Sequence, residues 1–375
     1  MQIELEPSLQ RWVDAAILDP RQASRIREFE TAAGPHRRSR LPVLLGLVFG
    51  GLMLAAGVLL FVSAHWDELS PVQRMSMLVG AVGGFHVAGA LFAERFRAMA
   101  ITLHAVGSVA LGGAIFLAGQ IFNMQEHWPA GIMVWALGAV AGWLLLGDWP
   151  QLALAAILVP FWLVGEWTEA MAQSPDGWQI ATAGILLLAL SYLSVRSPAA
   201  PAANDSVLRS FTWIGGIALL PAALSAGLAS HLRYGRTSPT GMSFLGWICA
   251  LLLPLAFAYV FRRDRTWINV VAAVWVVILS WMAHASVGAL IYLWAAIGAA
   301  GLIAWGVYEL RAERINLGMA AFALTVLLFF FSNMMDRLDR SAGLIALGTV
   351  FLAGGWYWEK LRRRLVGSVQ SGEIG

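Results

Sequence analysis

The chain has 375 residues, of which 59% are hydrophobic and only 13% are charged, and its mean hydropathy is +0.70. Soluble globular domains are about 45–50% apolar and about 25% charged, so this composition excludes a soluble globular protein. The formal net charge of +3 does not indicate nucleic-acid binding, because in a membrane protein the side on which the charges lie matters more than their sum. The composition therefore predicts an all-α, polytopic bundle of transmembrane helices that has the lipid bilayer as its partner.

The first 40 residues are predicted to form a cytosolic head of two short amphipathic helices. Asp19 and Pro20 have the chemistry of an N-cap and a first helical position, and Gln22 completes a capping box. One apolar stripe follows it: Ala23, Ile26 and Phe29. This segment lacks the apolar run that a cleavable signal peptide contains, so we expect the first span to direct insertion into the membrane. Two helices of this size cannot build a core alone, so residues 1–35 are expected to pack on each other, on the membrane surface or on a protein partner.

Twelve apolar segments follow. We interpret them as membrane spans, because a transmembrane helix needs roughly 20 apolar residues. The spans are predicted at 41–64, 75–93, 98–122, 130–147, 151–166, 178–195, 211–229, 243–261, 267–284, 287–307, 315–332 and 341–358. They form two six-span halves, 41–195 and 211–358, joined by a cytosolic linker at 196–210 and followed by a basic cytosolic tail at 359–375. The fifth span is predicted to be short and contains Pro160.

The distribution of basic residues predicts the orientation of the bundle. With the N-terminus inside, 20 of the 25 Lys and Arg residues lie in segments predicted to be cytoplasmic. Such an excess of positive charge on one side is typical of cytoplasmic loops. Both termini are therefore predicted to be cytoplasmic.

Two histidines lie within the predicted second and third spans. His86 is seven residues and His104 six residues from the inner ends of their spans, and the loop between the spans is short. At 1.5 Å per residue, both lie roughly 10 Å into the bilayer, where the imidazoles can face each other. Such a pair could handle protons, bind a ligand or provide two axial haem ligands. The alternative is two neutral side chains that only form hydrogen bonds.

A second polar cluster is predicted at the outer ends of the first and third spans. A polar pocket beneath aromatic rings at this place would suit a small polar ligand or a sugar-like head group. The alternative is that these residues are helix caps and interfacial aromatic residues. The cluster comprises His65, Trp66, Asp67, Gln120, Asn123, Glu126 and His127.

No sequence motif of a soluble enzyme is present. The sequence contains no P-loop, HExxH, CxxC or GxSxG motif, so no catalytic residue is assigned. No acid lies in the middle of a predicted span, which argues against a carboxylate proton relay or a buried sodium site. The single cysteine, Cys249, cannot form an intrachain disulfide. No cofactor and no metal site are predicted.

Four short segments between residues 5 and 150 form a recognisable set. They are Trp12-x4-Ile17-Leu18-x3-Gln22-x3-Ile26, Phe61-Val62-Ser63-Ala64-His65-Trp66-Asp67, Ala118-Gly119-Gln120-Ile121-Phe122-Asn123 and Trp135-Ala136-Leu137. With these segments, residues 5–150 resemble a bacterial family of predicted membrane proteins, domain of unknown function 2157. The resemblance implies a bacterial membrane location and no particular activity.

Two functional hypotheses follow from these patterns. The first is a transporter or permease-like protein for a small polar or lipid-linked solute, based on the number of spans and on the two polar clusters. The second is a membrane scaffold whose head docks a protein partner. A membrane-embedded transferase is disfavoured, because the sequence offers no acid–base constellation.

Overall fold

The structure is a computed structural model of the chain, and all regular elements in its described part are helical. It describes residues 9, 12–15, 17–32, 53, 69–122, 127–171, 174–195, 205–228, 240–285, 287–334 and 348–349. No strand occurs in these ranges, so the predicted all-α class is confirmed. By its contacts the chain divides into two compact units, Met1–Arg74 and Met75–Gly375.

The first unit contains helix α1, Pro20–Ala32, which begins as the sequence predicts. The backbone N–H of Asp19 donates to Gln22 Oε1 at 3.1 Å, and the Asp19 carboxylate accepts from the N–H of Arg21 at 2.9 Å. This reciprocal pattern is a capping box, which satisfies N–H groups that a helix start leaves unpaired. Ala23 is buried and Ile26 half-buried, whereas the arginines of α1 are exposed, so the helix is amphipathic.

Ten further helices follow, each 18 to 25 residues long. In chain order they are α2 Pro71–Phe92, α3 Arg97–Ile121, α4 Trp128–Leu146, α5 Trp149–Ala170, α6 Pro175–Ser194, α7 Asp205–Leu228, α8 Thr240–Arg262, α9 Trp267–His284, α10 Leu290–Tyr308 and α11 Ala312–Phe329. A 3₁₀ turn, Arg263–Thr266, joins α8 to α9, and a π-helical turn, Phe330–Met334, follows α11. Within the described ranges, nine helical segments are long and apolar enough to cross a membrane.

Each predicted span from the second to the eleventh coincides with one of these helices. The fifth prediction was wrong in length, because α5 runs on to Ala170 in spite of Pro160 inside it. The first predicted span lies outside the described residues except for position 53, and the twelfth except for 348–349. The total of twelve crossings and the cytoplasmic position of both termini stay predictions.

The longest apolar segment, Gly241–His284, has 44 residues and contains two helices, α8 and α9. One straight helix of this length would measure about 66 Å, which is about twice the thickness of the hydrocarbon core. Both helices instead pack along the 20-residue helix α6. The chain therefore reverses at the 3₁₀ turn, where Arg263 has a left-handed backbone with φ of 46°.

Helix α6 is the central helix of the second unit. Of the residues in its most apolar window, 72% are buried, against 33% or less in the other candidate spans. It packs on α5, α7, α8 and α9, and its leucines form the largest core cluster together with residues of α7, α9 and α10. Helices α5, α7, α8 and α9 therefore surround α6, and they keep wide apolar faces exposed.

Helix α9 shows what covers those exposed faces. Its exposed side carries Val270, Val274 and Trp281, whereas its buried side includes Asn269 and Ser280. A helix at the surface of a soluble protein has the opposite arrangement, with its polar residues in water. Apolar residues outward and polar residues inward indicate that lipid surrounds the helix.

Tryptophan rings that lie over glycines join neighbouring helices in the bundle. The Trp135 ring of α4 covers Gly112 of α3, and its indole N–H donates to the backbone O of Ser108 at 2.8 Å. The Trp275 ring of α9 covers Gly298 of α10 in the same way, and donates to the backbone O of Trp294 at 3.0 Å. In both cases the acceptor lies four residues before the glycine, because the missing Cβ lets the indole reach that carbonyl.

The glycines with GxxxG spacing have different environments. Gly138 packs against the Leu111 side chain and Gly142 against the Gln151 amide. Gly80 and Gly84 of α2 have no described neighbour within 4 Å of the place where a Cβ would lie. The spacing alone therefore does not identify which glycines pack against another helix.

The contact between Trp135 and Gly112 can be tested with neighbouring alanine substitutions. A Cβ at Gly112 would lie 2.2 Å from the Trp135 ring, whereas one at Gly113 would meet no described atom within 4 Å. We expect Gly112→Ala to lower the free energy of unfolding by about 1–3 kcal/mol through overpacking. Gly113→Ala should be neutral or stabilising by up to about 1 kcal/mol. Thermal unfolding in detergent checks both values, and equal effects of the two substitutions would contradict the packing.

Candidate functional site: polar clusters within the helix bundle

The two intramembrane histidines lie in direct contact. His86 Nδ1 of α2 is 3.1 Å from His104 Nδ1 of α3, and the ring centroids are 5.4 Å apart. His104 is buried and His86 half-buried. The imidazoles bond to each other directly, so as placed they do not fit two axial ligands on opposite sides of a haem iron.

Each histidine ring rests on a glycine of the facing helix. A Cβ at Gly89 would lie 2.8 Å from the His104 ring, and one at Gly107 would lie 2.9 Å from the His86 ring. Both helices carry the same short pattern, a histidine followed three residues later by this glycine. The antiparallel hairpin thus buries the two rings by a reciprocal arrangement, which the sequence spacing could have indicated.

The contact between the two Nδ1 atoms limits the protonation states of the pair. One Nδ1 must donate and the other must accept, so the neutral pair shares one N–H between the rings. A first added proton can bind at Nε2 of the donor ring without breaking this bond. A second added proton would place N–H groups on both Nδ1 atoms and break the bond. The pair can therefore gain one proton at its present geometry, and a second only by separating the rings.

Gln151 of α5 extends the polar contacts to a third helix. Its side-chain Nε2 donates to the backbone O of His104 at 3.1 Å, and the residue is 1% exposed. Its Oε1 is buried, lies against Gly142 and has no hydrogen-bond partner in the described part of the chain. Gln151 and Trp135 are the polar side chains that reach the backbone of α3 near His104, and both are neutral.

The predicted outer pocket falls largely outside the described residues. That is the case for His65, Trp66, Asp67, Asn123 and Glu126. Gln120 lies at the end of α3 and is exposed. His127 is described and lies just before α4.

His127 and the adjacent Trp128 contact two carboxylates that sequence reasoning did not assign to the cluster. Its Nε2 lies 2.7 Å from Glu166 Oε2, and Glu166 also accepts from the Trp162 indole at 3.0 Å. The Trp128 indole donates to Glu169 at 2.5 Å. Glu166 is the last residue of the predicted fifth span and Glu169 lies beyond it, and the i, i+3 spacing of the two acids would have indicated a common face.

A buried ionic cluster lies at one end of the second unit and was missed in the sequence. Arg262 ends α8, Glu309 follows α10, and Arg314 lies in the first turn of α11. The Glu309 carboxylate accepts from Arg262 through both of its oxygens and from Arg314 through one. All three side chains are fully buried. Each residue by itself resembles a solvated charge at the end of a span, so only the fold reveals the cluster.

The end of α6 balances the excess positive charge of the cluster. Arg262 Nη1 donates to the Ser194 backbone O at 2.6 Å, and Arg314 Nη2 donates to the Leu193 backbone O at 3.2 Å. The last carbonyls of a helix lack partners and carry partial negative charge, so they attract guanidinium groups. Both guanidinium groups also lie over the Trp305 ring, at 5.4 and 4.5 Å from its centroid.

The arginines keep Glu309 ionised. Burial alone would raise the pKa of the Glu309 carboxyl, but the hydrogen bonds and charges of Arg262 and Arg314 outweigh burial and lower the pKa to about 2. Because the folded pKa lies below the ordinary value, the carboxylate stabilises the fold above about pH 4.3. This contribution is lost as the pH falls toward 2.

Comparison with known proteins finds a family match in the first part of the chain. Residues 10–152 match the model of the family described as predicted membrane protein (DUF2157). The resemblance is confirmed over this segment. No curated protein and no solved structure matches the chain. The DUF2157 segment is less than half of the chain, and it contains the histidine pair and Gln151 but not the Arg262–Glu309–Arg314 cluster.

The buried cluster predicts a pH-dependent loss of stability in Glu309→Gln. The substitution leaves two buried arginines without their carboxylate, and we expect it to cost about 3 kcal/mol at neutral pH. The difference in the free energy of unfolding between wild type and variant should shrink as the pH falls from about 4.3 toward 2, where the wild-type carboxylate also becomes neutral. Thermal unfolding across this range measures this difference. Glu94→Gln, at an exposed position in the α2–α3 loop, is the control and should show no such difference.

Proposed function

We propose that this membrane protein is a transporter or permease-like protein of the bacterial inner membrane, for a small polar or lipid-linked solute. The proposal is carried by the contact between His86 and His104, which lie within two largely apolar helices. Ionisable residues within transmembrane segments are costly to bury and usually mark ion or substrate pathways.

The histidine pair would couple protons to the movement of the solute. With the two Nδ1 atoms in contact, the pair can bind one additional proton, and a second proton forces the rings apart. Separation of the rings would change the packing of α2 against α3, since each ring occupies the space above a glycine of the other helix. Protonation would thereby be linked to a change of helix packing, as proton-coupled transport requires.

The proposed proton coupling can be measured in proteoliposomes that contain a pH-sensitive dye. We expect protein-dependent proton movement that is stimulated by a member of a panel of small polar solutes. His86→Asn and His104→Asn keep a polar side chain but cannot titrate, and we expect each to reduce this movement at least tenfold. His284→Asn, at an exposed position at the end of α9, is the matched control and should retain it. Solute flux that is unchanged in both asparagine variants would contradict the role of the pair.

The scaffold hypothesis predicts a different outcome. In that case deletion of residues 1–35 would abolish a cellular phenotype that His86→Asn leaves intact. The capped, amphipathic helix α1 is the described element that would dock such a partner. Loss of the phenotype in His86→Asn with retention in the head deletion would favour transport.

A further inference from the structure

Glu309 is presented by a turn and not by a helix. α10 ends at Tyr308 and α11 begins at Ala312. The turn is closed by hydrogen bonds from the Leu310 N–H to the Val307 O at 3.2 Å and from the Arg311 N–H to the Gly306 O at 2.7 Å. These are the two bonds of a Schellman motif.

The backbone is left-handed immediately after two members of the cluster. Arg263 and Leu310 have φ values of 46° and 55°, and they are the two non-glycine residues with positive φ in the described part of the chain. Glycine is favoured at this position after a helix, because a side chain is strained there. Strained backbone persists where surrounding contacts hold it in place, and here the neighbouring residues Arg262 and Glu309 are bonded to each other.

The two arginines are positioned by groups other than Glu309. Both guanidinium groups donate to backbone carbonyls at the end of α6 and lie over the Trp305 ring. They belong to different helices, α8 and α11, yet they converge on one carboxylate. Because arginine presents a rigid fork of donors, two such groups held in place form a site for a carboxylate whether or not the carboxylate belongs to the same chain.

We infer that Arg262 and Arg314 form a preorganised carboxylate-binding site, and that the Glu309 side chain occupies it as a tethered ligand. The site is distinct from the histidine pair, and it does not depend on the proposed transport function. Its ligand class is a small monocarboxylate, which has the charge and the two oxygens that Glu309 supplies. The α10–α11 turn then acts as a latch, because it delivers this ligand between α8 and α11.

The inference is tested by replacing the tethered carboxylate with a free one. Glu309→Ala removes the carboxylate and leaves space for a small molecule. We expect this variant to unfold at a lower temperature than wild type in detergent. Sodium formate at about 50 mM should restore at least half of the lost Tm, since a bound ligand stabilises the folded state. Formamide has the same shape without the charge, and sodium chloride controls for ionic strength; neither should restore as much.

Two further variants make the result specific. Arg262→Gln/Glu309→Ala lacks one of the two guanidinium groups, and formate should not raise its Tm. Glu309→Gln keeps the site filled with an uncharged side chain and should also be insensitive to formate. Wild type should not respond, because its own carboxylate fills the site. Equal rescue by formamide, rescue in the double variant, or failure of Glu309→Ala to fold even in medium with formate would overturn the inference.

Discussion

The surrounding lipid offers no hydrogen bonds, so polar groups between the helices of this bundle are stabilised by partners within the chain. The buried polar contacts follow from this constraint. Tryptophan N–H groups reach backbone carbonyls beside glycines, the two histidines bond to each other, and buried arginines share one carboxylate. Without water to compete, these contacts also select which helices meet.

The constraint explains why glycine and tryptophan are so frequent. The chain has 38 glycines and 18 tryptophans. At Gly112 and Gly298 an absent side chain admits a ring that both fills volume and carries a donor. Lipid tails are as apolar as leucine, so burial of apolar surface does little to hold helices together in a membrane, and close packing with interhelical hydrogen bonds takes its place.

The helices were predictable because hydropathy and length determine them in lipid. The predicted spans from 75 to 332 each coincide with a helix. The capping box could be predicted from Asp19, Pro20 and Gln22. The histidine contact was also accessible, since the two helices are consecutive and joined by a short loop. The central place of α6 could not be predicted, because its composition resembles that of its neighbours and its burial depends on which helices surround it.

The ionic cluster could not be predicted for a related reason. Arg262, Glu309 and Arg314 lie at the ends of different helices, and a count of charges by side treats such residues as solvated. Only the convergence of α6, α8, α10 and α11 at one end of the bundle buries them. The fifth span was predicted to end at residue 166, whereas α5 continues to Ala170 and contains Pro160, which neighbouring helices in a bundle tolerate.

The account depends on lipid, not water, covering the exposed apolar faces. Spin labels attached to single cysteines in a Cys249→Ser background test this directly, because oxygen collects in lipid and a nickel chelate stays in water. A label at Val274, which is exposed in the middle of α9, should be accessible to oxygen and protected from the chelate. A label at Arg263, exposed in the turn before α9, should show the reverse. Equal access of the chelate to both positions would contradict the account.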